Sequence, residues 1–242
     1  MPVTVVLLHG FAGTGRAWDP VIERLDRERY NALAPDLRGH GGARDERPVA
    51  FAAMAADVLA AAPERFVLCG YSMGGRIALH VALAAAERID RLVLVATTAG
   101  IDAPVERAAR RADDERLAEF ADAAPIEAFA DRWTSQPLFA GTPLEAAKLW
   151  RHDVLRNDPR ALATVLRGVG TGAMTPMWDR LAELTMPAAV LAGERDPKFV
   201  ELARRLAAKL PNAELRIVPD AGHGLPREAP DAIVRAITRE GP

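Results

Sequence analysis

Ser72 is the residue in this chain best placed to act as a nucleophile. It lies in Gly70-Tyr71-Ser72-Met73-Gly74, between a strand-like apolar run, Arg65 to Cys69, and a helix-like run, Gly75 to Leu83. The five-residue pattern alone is a weak signal. Between a buried strand and a helix it describes a sharp strand-to-helix turn. Such a turn leaves no room for side chains at its glycines and strains the serine backbone. It also presents the hydroxyl at a helix N-terminus, where developing negative charge is favoured. A serine hydroxyl remains a poor nucleophile and a poor base until a histidine takes its proton and a carboxylate orients that imidazole. On a turn of this kind the acid and then the histidine follow the serine in the chain. Asp196 follows the run Ala188 to Ala192, and His223 follows Glu214 to Val218, so both are expected at the strand edge that carries Ser72.

Other residues compete for these roles. Glu194 is the second choice of acid, lying nearer its strand end, and Asp220 is a local alternative partner for His223. His80 falls inside a helix, His152 in a helical insertion where it could touch substrate, and His9 and His40 in glycine-rich loops that favour structural hydrogen bonding. Two backbone N–H groups are expected to stabilise an oxyanion: that of Met73, after the nucleophile, and one from His9-Gly10-Phe11-Ala12-Gly13, after the first strand. Phe11 is the choice there, although its ring also suits simple packing.

The elements that must position these residues alternate. Val3 to Leu8 is a continuous apolar run, as expected of a strand covered on both faces. Tyr30 to Pro35 is a weaker strand, Phe51 to Ala62 a helix, Phe66 to Cys69 a strand, Met73 to Ala86 a helix and Arg91 to Ala96 a strand. Strands at 188–192 and 214–218 and helices at 198–209 and 230–239 complete the series. The fold class is therefore α/β, a mostly parallel sheet flanked by helices. Residues 103–175 break the alternation with helices at 105–123, 126–133, 143–155 and 159–168, punctuated by Pro125, Pro137, Pro143 and Pro159. This segment is expected to form a helical cap over the site, inserted into a core of residues 1–102 and 176–242.

Bulk properties narrow the function. A chain of 242 residues can bury a substantial core. Its net charge of −2 offers no electrostatic case for nucleic acid. Arginine carries nearly all the positive charge, with lysine only at 148, 198 and 209. A GC-rich genome explains that bias, as does recognition of carboxylates by guanidinium forks. The single cysteine, Cys69, excludes an internal disulfide, and no export signal or membrane-spanning run is evident, so a cytoplasmic protein is expected. Neither a metal nor an organic cofactor is expected, since no zinc-ligand spacing and no phosphate-binding glycine loop is present. Monomer and homo-oligomer are both compatible with the sequence.

Leu8-His9-Gly10-Phe11, Asp36-Leu37-Arg38-Gly39-His40-Gly41, the serine turn, Gly193-Glu194-Arg195-Asp196 and Gly222-His223 together resemble the α/β-hydrolase superfamily over nearly the whole chain. A narrower resemblance rests on the serine turn extended to Gly75-Arg76, Trp133 to Phe139, Leu166 to Gly172, and Gly193 to Phe199. These segments are similar to the 2-succinyl-6-hydroxy-2,4-cyclohexadiene-1-carboxylate synthases of menaquinone biosynthesis, and two of them lie in the insertion.

The resemblance implies a lyase that eliminates pyruvate from a succinylated cyclohexene without hydrolysis. In this reading Ser72, activated by His223 and Asp196, helps remove a proton alpha to the succinyl carbonyl, and the oxyanion donors hold the enolate-like charge. A small polycarboxylate substrate calls for cations. Arg76 comes first, then Arg151 from the insertion, with Trp133 walling the ring and Tyr71 available to donate a hydrogen bond. Arg110, Arg111 and Arg167 are weaker options. The alternative is a serine carboxylesterase or C–C bond hydrolase of the same fold, with a mainly apolar site. A non-catalytic ligand receptor is disfavoured because all three catalytic positions are filled.

Overall fold

A computed structural model of the chain describes residues 2–239. Its core alternates strand and helix: β1 (Val3–Leu8), α1 (Asp19–Ile22), β2 (Tyr30–Leu33), α2 (Phe51–Ala61), β3 (Phe66–Tyr71), α3 (Met73–Ala84) and β4 (Ile89–Val95). Four helices follow: α4 (Pro104–Ala123), α5 (Ile126–Thr134), α6 (Leu144–Val154) and α7 (Pro159–Val169). The core then resumes with β5 (Ala188–Gly193), α8 (Pro197–Lys209), β6 (Ala213–Val218), α9 (Leu225–Glu228) and α10 (Pro230–Thr238). The sheet order is β2-β1-β3-β4-β5-β6, and every pairing is parallel.

The central strands β1, β3 and β5 are largely apolar because helices cover both faces, whereas the edge strands β2 and β6 carry polar residues. Successive residues go to opposite sides: Val6 and Leu8 pack with Met54, Ile77 and Leu206 beneath α2, α3 and α8, whereas Val5 and Leu7 pack with Trp18 and Ile233 beneath α10. A third cluster, with Ala118, Phe129, Val154, Leu162 and Leu166, belongs to the helices between β4 and β5 and takes in Ala12 of the loop after β1.

Chain order reverses direction between β1 and β3, which are neighbours in the sheet. The loop after β1 and the turn after β3 therefore open into one crevice at the strand C-terminal edge, where ligands collect in open parallel sheets. The four helices after β4 lie across that crevice. Local signals set their starts: Pro104 and Pro159 occupy first-turn positions, and the Asp158 carboxylate caps α7 by accepting the Ala161 N–H at 2.9 Å. Among the described residues no helix is long and apolar enough to cross a membrane.

Candidate active site

The serine sits where β3 becomes α3. Ser72 has φ +52° and ψ −111°, a conformation that L-residues hold only where the surroundings enforce it. The enforcement comes from close backbone approach. A Cβ on Gly70 would lie 2.4 Å from the Gly74 carbonyl oxygen, and one on Gly74 would lie 2.1 Å from that of Leu8. The Ser72 N–H donates to Val95 O at 2.9 Å, and Thr97 Oγ1 donates to Ser72 O at 2.7 Å, tying the turn to β4 and its loop.

Three loops meet above this turn. His223 Nε2 lies 3.2 Å from Ser72 Oγ, and its Nδ1 lies 2.8 Å from Asp196 Oδ2. Asp196 also caps α8, its other oxygen accepting the Phe199 N–H at 3.3 Å with Pro197 following. The capping bond fixes the carboxylate so that its free oxygen faces the imidazole. The side chains of His223 and Asp196 are buried, which shields their contact from water. Glu194 points elsewhere, its carboxylate accepting the Asp220 N–H at 3.3 Å, so Asp196 and not Glu194 is the acid that meets His223. Tyr71 packs 5.4 Å from the His223 ring; burial first, then the Glu228 and Asp196 carboxylates, push its phenol up and keep it a neutral donor.

Gly10 packs so tightly against the turn that a Cβ there would lie 2.8 Å from the Tyr71 ring and 3.5 Å from Ser72 Cβ. The loop after β1 thus lies against the serine turn, and among the described residues no hydrogen bond is donated by the Phe11 or the Met73 N–H. Met73 is the first residue of α3, whose leading N–H groups are free by geometry.

A cavity of about 510 Å³ covers Ser72 and His223, a size suited to a small molecule. Its walls include Phe11, Trp133, Phe139 and Trp150, with T-shaped contacts of 4.9 Å between Phe11 and Trp133 and 5.8 Å between Trp133 and Phe139. The helices after β4 supply much of the rest, including Val154, Leu166 and Val169.

The cavity is rich in cations. Arg76 is buried one turn past Ser72, with Nη1 donating to Val169 O and its guanidinium 5.6 Å from the Phe51 ring. Among the described residues it pairs with no carboxylate. Burial, then the Arg110 guanidinium, push it down to about 9, so it is cationic at neutral pH. Arg132 lies over the Phe120 ring at 4.3 Å, and Lys198 lines the same space; neither forms an ion pair among the described residues. Arg110 and Arg116 also line it but are engaged by Asp114 and Asp113.

Arg151 does not join this group. On α6 the residues Trp150, Asp153 and Val154 face inward, which turns Arg151 outward to pair with Asp131 at 2.7 Å. Arg167 likewise pairs with Glu115 and Asp122 outside the cavity, and neither Arg111 nor His152 lines it. Arg116, Arg132 and Lys198 escaped the sequence reading. The placement of Arg132 beside Trp133 was its one available signal, and Lys198 stands two residues after Asp196. His9 and His40 are buried structural hydrogen bonders: Leu37 N–H donates to His9 Nε2 at 3.0 Å and Ala12 N–H to His40 Nε2 at 3.2 Å. His80 stacks on Phe51 at 4.5 Å, away from Ser72.

Residues 5–236 match the model of the alpha/beta hydrolase family. A Bacillus subtilis (strain 168) protein that carries the provisional name 2-succinyl-6-hydroxy-2,4-cyclohexadiene-1-carboxylate synthase is 36% identical over 238 residues, covering 93% of this chain and 85% of its own. The protein of that name from Salmonella heidelberg (strain SL476) is 31% identical over 240 residues, 98% of this chain and 92% of its own. Among solved structures, one described as MenH from S. aureus superposes with a TM-score of 0.90 at 32% identity, covering 98% of this chain and 92% of that one.

Proposed function

Since the chain belongs to the alpha/beta hydrolase family, we propose that it is the lyase converting 2-succinyl-5-enolpyruvyl-6-hydroxy-3-cyclohexene-1-carboxylate to 2-succinyl-6-hydroxy-2,4-cyclohexadiene-1-carboxylate. The observation that carries this reading is Arg76, a buried cation without a carboxylate partner among the described residues, lining the cavity above Ser72 and His223. A buried charge calls for a counter-ion, and a substrate carboxylate supplies one. The names of the relatives support the same substrate.

The chemistry follows from the contacts. His223, oriented by Asp196, draws the proton from Ser72 Oγ, and the serine oxygen takes the proton alpha to the succinyl carbonyl. The electron pair moves onto the carbonyl oxygen, where the Phe11 and Met73 N–H groups hold it as an enolate. Collapse of the enolate forms the ring C2=C3 double bond, moves the existing C3=C4 bond to C4=C5 and breaks the C5–O bond; the departing enolpyruvate takes the proton held by His223 to become pyruvate, which restores the neutral imidazole. No water is consumed. Arg76, Arg132 and Lys198 face the carboxylates, Trp133 covers the ring, and Tyr71 is within reach as a neutral hydrogen-bond donor.

The runner-up is a serine carboxylesterase or C–C bond hydrolase, favoured by the same Ser72–His223–Asp196 contacts, which suit acyl transfer equally well. The deciding experiment incubates the purified protein with the succinylated cyclohexene and measures pyruvate. Stoichiometric pyruvate release, with faster turnover of this substrate than of a neutral activated ester, is expected. Faster turnover of the neutral ester would transfer the assignment to the hydrolase.

A further inference from the structure

The loop that carries the Phe11 N–H is strained and is held from above, by the helical segment after β4, as well as from the core. Ala12 sits at φ +59°, a left-handed conformation that strains an alanine and persists only where neighbours over-determine it. Its N–H donates to His40, on the core side. Its carbonyl accepts from Asn157 Nδ2 at 3.0 Å, just beyond α6, and the Asn157 Oδ1 accepts the Gly41 N–H at 3.0 Å. Two residues further on, Thr14 gives both its N–H and its hydroxyl to the Asp153 carboxylate of α6, the N–H at 3.2 Å. The same carboxylate accepts from Arg227 Nη2 at 3.2 Å, on α9, four residues after His223. Both side chains of that ion pair are buried, Asp153 at 1% and Arg227 at 4% exposure.

Asp153 stands with Trp150 on the inward face of α6, and Asn157 follows four residues later in the turn that ends the helix. Trp150 lines the cavity beneath the Arg227 guanidinium, 4.5 Å away. The buried carboxylate and the buried amide each have their hydrogen bonds spent on backbone, a hydroxyl or a charge beside the site. We propose that Asp153 and Asn157 are positioning residues, which hold the strained Phe11–Thr14 loop so that the Phe11 N–H faces Ser72 and which tie that loop to the one bearing His223. The inference rests on the reading of Phe11 as an oxyanion donor. It makes the C-terminal end of α6 an anchored part of the catalytic frame, distinct from the remaining helices of the cap.

Thr14→Val tests it, since valine has threonine's shape and lacks the hydroxyl, which donates to Asp153 and also accepts the Arg16 N–H; Thr14 does not line the cavity. Small misplacements of catalytic groups cost up to about 10²-fold. Thr14→Val is expected to lower kcat roughly ten- to a hundredfold with KM within about twofold, to speed amide exchange at Ala12 and Thr14 while β1 stays protected, and to be rescued by Thr14→Ser. Unchanged kcat, unchanged exchange at both amides, or a rise in KM alone would overturn the proposal. If Thr14→Val does not fold, Asn157→Ser, which removes the donor to Ala12 O, is read by the same measurements. Turnover is followed both as pyruvate release from the succinylated cyclohexene and as hydrolysis of p-nitrophenyl acetate. A wild-type protein that releases no pyruvate would sink the lyase reading alone, since ester turnover draws on the same two N–H donors and amide exchange needs no substrate.

Discussion

A guanidinium buried beside a second guanidinium is held in the folded state at a cost that a nearby carboxylate offsets in part and an arriving anion offsets further. Arg76 is in this position, and a charge-assisted hydrogen bond in a partly buried setting contributes about 1.5–3 kcal/mol. Arg76→Ala should therefore lower kcat/KM for the polyanionic substrate by roughly ten- to a hundredfold and leave a neutral ester nearly untouched. Arg76→Lys should rescue poorly because an ammonium lacks the planar fork. Equal losses on both substrates would make Arg76 structural. For the catalytic chain, Ser72→Ala or His223→Ala should reduce kcat by at least ~10³ with circular dichroism unchanged, since members of such a unit act together. Asp196→Asn should also be severely impaired, and Glu194→Gln should match wild type. Near-normal turnover by His223→Ala would remove the assignment.

At the scale of elements, the strand-to-helix turn is built by steric exclusion. A methyl group at Gly74 would stand 2.1 and 2.6 Å from the Leu8 and His9 carbonyl oxygens of the neighbouring strand and its loop, and backbone cannot retreat as a flexible side chain would. Gly74→Ala should lower stability by about 1–3 kcal/mol or more, read as a fall in Tm, and should lower kcat because the same shift moves Ser72. An unaltered Tm would show that the turn has slack. On α6 the orientation is decided by the stripe of Trp150, Asp153 and Val154. Arg151, on the outward face, should tolerate alanine with kcat/KM within about twofold, in keeping with the small worth of exposed ion pairs. A large loss there would mean that α6 turns inward when substrate binds.

Across the whole molecule, three histidines are held neutral by the fold. Burial pushes His9 and His40 below their ordinary value, His40 further through the neighbouring His9, and burial brings His80 down to about 4. The unfolded chain protonates its histidines near 6.5. Below that pH the unfolded state binds protons that the folded state refuses, so stability is full above about 6.5 and falls as pH drops toward 4. Urea midpoints at successive pH values between 7 and 4 should decline with an unchanged slope on denaturant. His80→Gln should flatten part of that decline, and a midpoint constant over this range would contradict the burial of these rings. Protonation of His40 would also remove the acceptor for the Ala12 N–H, so kcat should weaken together with stability at the acid end.

The strands, the serine turn and the order of Ser72, Asp196 and His223 are legible in the amino-acid order, because these rest on local rules. Apolar runs buried on both faces are continuous, glycines mark where backbone crowds backbone, and an Asp-Pro pair opens a helix. Only the tertiary structure decided which cations face the cavity. Arginine at 76, 110, 116, 132 and 151 looks alike in a list of residues. What separates them is the rotation of each helix about its own axis, which is set by the apolar stripe it buries against its neighbours. Trp150 turned inward sends Arg151 to solvent, and Arg132 reaches the cavity beside Trp133. The hold of Asp153 and Asn157 on the loop after β1 joins residues about 140 apart in the chain. Contacts at that separation leave no periodicity for the sequence to display, because they exist only once the helices have packed over the sheet edge.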